Sequence, residues 1–182
     1  MPPSFLVVSG LGPSGPLKAA DLPLGLGLVE AEEEVIDTTA VVATDPDELR
    51  DLVAAAVESV VECAVEFDAD GDIPVQAGNT AVYVRVEEDS PSVRLFASLL
   101  HEVPWSPRVG HTLNEANTRI SYGRVAFHDG HVIVEYQMFC RPFVPELMRH
   151  AVVGMGLVDG LDVQLQERIG GSILSEHQDG VA

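Results

Sequence analysis

The sequence predicts an α+β domain, a mainly antiparallel twisted sheet packed with two longer helices and one short helix. Three observations carry this. A helix pattern with a strong start signal opens at Asp45. Alternating strands follow it, and a later pair is joined by Asp129-Gly130, the strongest short hairpin signal. A second long helical pattern closes the chain between Val144 and Ile169.

Asp45-Pro46-Asp47-Glu48 starts the first helix. Asp45 suits the cap, Pro46 the first helical position, and Glu48 the carboxylate position of a capping box. Leu49, Leu52, Val53, Ala56, Val57, Val60 and Val61 recur at helical spacing, which extends the helix to about Val65. Asp68 to Asp72 then forms an acidic turn. It differs from a calcium loop because its glycine stands fourth rather than sixth and Asn79 occupies the twelfth position.

Ala81 to Glu88 alternates as a strand, with Val82, Val84 and Val86 on one face and Tyr83, Arg85 and Glu87 on the other. Asp89-Ser90-Pro91 turns the chain into a second strand, Ser92 to Val103. Its apolar Phe96, Leu99 and Leu100 suit a central position. A short helix is expected from Pro107 to Ile120. Gly123–His128 and His131–Phe139 make the hairpin. The last long helix ends at Gly170-Gly171. Three parts result: a loop-rich arm over 1–44, a compact domain over 45–171, and a tail over 172–182.

Totals narrow the function. The chain has 182 residues, 46% hydrophobic, enough for one globular domain with a core of its own. Its net charge of −19 opposes nucleic acid and anionic membranes, since phosphate contacts need a basic stripe. The two cysteines, Cys63 and Cys140, form no CxxC, which fits free thiols in a cytoplasmic protein. No stretch reaches the roughly 18 apolar residues of a membrane helix, and the N-terminus lacks a basic signal-peptide region.

Catalytic motifs are not found. His101-Glu102 has Trp105 where a zinc protease needs its second histidine. His128 and His131 flank a turn without further ligands at metal spacing. Gly154, Gly156 and Gly160 sit in a helical pattern that no strand feeds, so the dinucleotide context fails. Glycines there instead mark close approach of another backbone, either the chain's own sheet or a second subunit. Asn114 and Asn117, three apart before a strand, are placed to bond a neighbouring loop or a bound backbone.

Taken in order, several segments resemble one family. These are Asp70-Gly71-Asp72-Ile73, Ala81 to Val86, Val93 to Ala97, Leu113 to Asn117, Gly123 to Phe127 with Asp129-Gly130, and Pro142 to Pro145. The chain from Asp45 to Gly171 is similar to the type III secretion chaperone-like/YbjN superfamily, in its actinobacterial form. The resemblance implies a twisted sheet with helices, often a homodimer, and a partner's unfolded segment laid over sheet and helices. It implies no cofactor and no catalytic residues.

Three readings of function follow. In the leading one, the domain is not an enzyme and binds another polypeptide through an apolar sheet and helix surface. Candidate contacts are Val82, Val84, Phe96, Leu99, Asn114, Asn117, Tyr136 and Met138, some of which must form the core instead. In the second, the chain is a regulatory homodimer whose interface is Gly154, Gly156 and Gly160. In the third, a small hydrolase or metal enzyme gathers His101, His128 and His131 round a pocket. A further expectation is that Leu22 to Val29 of the arm serves as a built-in ligand.

Overall fold

The computed structural model of the chain describes residues 39–77, 80–120, 123–156 and 160–173. Helix α1 (Pro46–Val61) starts as its sequence dictates. The Asp45 carboxylate accepts the Glu48 N–H at 2.9 Å, and Glu48 reaches back to the Thr44 N–H at 2.7 Å and the Thr44 hydroxyl at 2.8 Å. The reciprocal arm of the capping box is therefore made with Thr44, one residue before the cap. The helix ends earlier than its periodicity suggests, because Glu62 turns left-handed at φ 58°.

Five strands follow: β1 (Ile73–Ala77), β2 (Thr80–Val86), β3 (Ser92–Leu100), β4 (Arg124–His128) and β5 (His131–Phe139). They form one sheet in the order β1-β2-β3-β5-β4, antiparallel throughout. Between β3 and β4 lies α2 (Pro107–Asn117), capped by Ser106. The β4–β5 turn has Asp129 at φ 46° and Gly130 at φ 83°, the paired positive values of a type I′ turn.

The final long helix of the sequence pattern is two helices, α3 (Pro145–Gly156) and α4 (Leu161–Ile169). Gly160 takes φ 80° at the start of α4, a conformation a continuing right-handed helix does not contain. Apolar spacing runs on through the break, so periodicity alone joins what the backbone separates.

Register sorts the sheet into two faces. Val84 opposes Leu95, Leu95 opposes Tyr136, and Val93 opposes Met138. One face therefore carries Val82, Val84, Val86, Val93, Leu95, Ala97, Val132 and Val134, all buried. Helices α1 and α3 supply Val53, Val57, Met148 and Met155 to the same core, and both contact β2. The opposite face carries Tyr83, Arg85, Arg94, Phe96, Ile133 and Glu135, all half-buried. Leu99 lies within the register shift between Ser98 and Leu100 and is buried as well.

Both ends of the described chain are tied to the domain. Val41 exchanges backbone hydrogen bonds with Phe143 at 2.8 and 2.7 Å, and Ser172 does so with His101 at 2.9 Å each way. Most of the arm, including Leu22 to Val29, and residues 174–182 of the tail lie outside the described residues.

Candidate polypeptide-binding surface

On the face away from the helices, Phe96 sits at the centre of the sheet. Tyr83 stacks beside it, with ring centroids 5.5 Å apart and an interplanar angle of 22°. Two guanidinium groups lie against the same ring, Arg85 at 5.2 Å and Arg94 at 5.3 Å from its centroid. Cations over an aromatic face are attracted by its quadrupole, so the cluster holds four long side chains in place. Arg85 is fixed further by a two-pronged pair with the buried Asp72 carboxylate, at 2.6 and 2.5 Å. That bond raises the Arg85 pKa, while burial and the nearby Asp68 and Asp72 charges raise that of Tyr83. Arg94 lies 3.0 Å from Glu87, and Arg124 lies 2.9 Å from Glu135. This face is a half-exposed platform of aromatic and aliphatic surface edged by paired charges.

The two edges of the sheet are built differently. At β4, the Asn117 side chain donates to the Val125 carbonyl at 2.9 Å and accepts the Val125 N–H at 2.6 Å. A single amide thus replaces a neighbouring strand at that position, and α2 lies alongside. At β1, Pro74 stands opposite Tyr83 and has no N–H to offer a further strand. That strand is also short. Its ladder with β2 stops at Ile73–Val84, so Arg85 and Val86 run on without it.

Residues 47–177 match a family model described as "T3SS (YopN, CesT) and YbjN peptide-binding chaperone 1". The chain belongs to this family. No curated protein sequence matches it. Among solved structures, a chain of the ExsC–ExsE complex is similar at 13% identity and TM-score 0.50, covering 70% of this chain and 98% of that one. A chain of the HopA1–SchA chaperone–effector complex matches at 13% identity and TM-score 0.46, over 65% and 92%. The Yersinia pestis type III secretion chaperone SycH, in complex with a stable fragment of YscM2, matches at 16% and 0.43, over 64% and 98%. At these identities the likeness to ExsC–ExsE speaks for the fold. Family and fold are those of a non-enzymatic binding protein.

As a member of the peptide-binding chaperone family, the chain distributes its candidate contacts over several environments. Val82, Val84 and Leu99 are each 1% exposed and belong to the core, where the helices cover them; they present no surface to a partner. Tyr136 and Met138 are half-buried on the helix-side face, packed against that core. Asn117 is engaged with Val125, and Asn114 is exposed on α2. Phe96 alone of the eight stands on the open sheet face. Gly154 is buried within α3, and a Cβ added to Gly156 would meet that of Ala77 on β1 at an ordinary 3.7 Å. Gly160 stands at the start of α4.

Among the described histidines, His128 and His131 face each other across the β4–β5 turn. His101 neighbours Glu102, His111 neighbours Glu115, and His128 neighbours Asp129. No group of three His, Cys, Asp or Glu is placed to hold a metal among the described residues. Asp68 instead spends its carboxylate on the N–H groups of Asp70 and Asp72, both at 2.9 Å. Cys140 is buried, and burial pushes its thiol up to about 11, well away from a reactive thiolate. No helix among the described residues is long and apolar enough to cross a membrane.

Exposed aromatic residues escaped the sequence reading. Phe67 is 42% exposed and Phe139 67% exposed, while Trp105 lies over Phe127 at 5.1 Å. Phe67 carries the one usable signal: it is a lone aromatic between Glu66 and Asp68, in a turn with no apolar partner in sequence.

Proposed function

We propose that this protein is a chaperone-type binding protein that holds an extended segment of another polypeptide on its sheet. The observation that carries the reading is the open sheet face centred on Phe96. Its aromatic pair is held by Arg85 and Arg94 and is left half-exposed, while the valines and Leu95 of the opposite face are buried under the helices. A pre-ordered apolar platform of this kind binds without first paying to order its own side chains. Membership of a peptide-binding chaperone family supports the same conclusion.

The test is affinity capture from the protein's own cell extract, run in parallel with native protein and a Phe96→Ser variant. The expected result is a defined polypeptide retained by the native protein and lost from the variant. Equal retention by both would remove the face from the account. Retention of nothing beyond what an unrelated acidic protein holds would overturn the function.

A further inference from the structure

Because β1 is shorter than β2, the sheet has a step in its edge. Glu87 donates its N–H to the Ser92 carbonyl at 3.0 Å, which fixes the phase of the β2–β3 ladder. Hydrogen-bonding pairs alternate along antiparallel strands. The N–H and C=O of Val86 therefore point away from β3, toward the side on which β1 has already ended. A groove of about 950 Å³ lies on that side. One wall is Phe67 and the Asp70-Gly71 turn, and the other is the end of β2 with the residues that follow it, Arg85 to Asp89.

The charge of the groove selects its occupant. Asp70, Glu87, Glu88 and Asp89 line it, against Arg50 and Arg85. Both arginines are already engaged, Arg85 with Asp72 and Arg50 with Asp47 and Glu88. The surplus is negative, and Phe67 adds an exposed apolar surface. The chain's own arm is a poor fit, since Glu30, Glu32, Glu33 and Glu34 repeat the groove's sign.

We propose that a short, extended, basic segment of a partner polypeptide adds to the sheet in this step, in line with β1. Its backbone pairs with the outward N–H and C=O of Val86, and its alternate side chains meet the acidic rim and Phe67. Strand addition of this kind draws affinity from main-chain hydrogen bonds and selectivity from alternate side chains. The step suits it better than either full edge: Pro74 interrupts donors along β1, and Asn117 occupies Val125 on β4. This inference rests on the polypeptide-binding function proposed above and adds the place and the charge of the bound segment.

Synthetic eight-residue peptides test it on the full chain: alternating valine and arginine, alternating valine and glutamate, and the basic peptide with proline at its fourth position. Titration is combined with amide hydrogen exchange. The basic peptide should bind at least tenfold tighter than the acidic one, and the proline peptide should lose at least tenfold. Protection should rise at Val86. An Asp70→Lys/Asp89→Lys variant, checked for an unchanged melting curve, should lose the basic peptide, and Phe67→Ser should weaken it several-fold. Equal binding of the basic and proline peptides would overturn strand addition. Binding that survives charge reversal, with protection elsewhere, would overturn the site while leaving the general function intact. If none of the peptides bind but the native protein still captures its cellular partner, this inference fails alone. If neither binds, both fail.

Discussion

The sheet ends in two unlike ways. On the β4 side, a helix lies along the edge and one asparagine amide satisfies both backbone groups of Val125. On the β1 side, a five-residue strand with a proline in it stops short of its nine-residue neighbour but one, β3. Sheet edges invite pairing with other chains, and folded proteins manage them by covering, charging or interrupting them. The β4 edge is covered. The β1 edge is interrupted, and beyond it the part of β2 that β1 leaves unpaired is bordered by carboxylates. On the proposed function, an extended partner finds backbone to pair with on the β1 side and must bring positive charge to it.

Breaking the anchor of the β1 side has the largest expected effect. Asp72 is buried and depends on Arg85, whose side chain is 34% exposed. Arg85→Met should strand that carboxylate and cost about 2–3 kcal/mol, below the full cost for a wholly buried pair because one partner meets solvent. Chemical denaturation measures it. Next comes the β4 side. Asn117→Ala removes two hydrogen bonds to Val125 and should cost about 1–2 kcal/mol, with faster amide exchange at Val125. An unchanged Val125 amide would mean the edge is guarded by α2 alone.

A smaller effect sharpens the comparison by opening the guarded strand. Pro74→Val restores an N–H to β1 and should leave the melting temperature nearly unchanged while raising self-association in sedimentation at high concentration. Smallest is the tie between α2 and α4. The Arg168 guanidinium hydrogen-bonds Glu115 and lowers its pKa below the ordinary 4.5, with His111 and Arg119 adding a little. A lowered carboxyl pKa gives stability that is present above the unfolded value and lost as pH falls through the folded one. Glu115→Gln should therefore melt slightly lower than native protein at pH 7, and the gap should close as the pH falls below 4.5.

Local chemistry was legible in the sequence. The α1 cap rests on side chains within four residues of each other, and the Asp129-Gly130 turn on two backbone conformations, so both could be read from short segments. The α3–α4 break could not, because apolar spacing persists through a change that only the φ of Gly160 reveals. Alternation told which residues of β2 share a face, yet not which face the helices take. That choice depends on α1 and α3 arriving from distant sequence, and it sent Val82 and Val84 into the core and left Phe96 outside. Asn117 was recognisable as a residue placed to bond neighbouring backbone, though not that the backbone would be the chain's own β4. The step beside Val86 was not, since it exists only as a difference in length between paired strands, and Phe67 gains its meaning from that step.

The decisive measurement is amide exchange at Val86 and Val125, followed together as the alternating valine–arginine peptide is added. Val86 should slow by at least tenfold while Val125, already held by Asn117, stays as it was. Slowing at Val125, or none at either residue while the peptide is demonstrably bound, would contradict it.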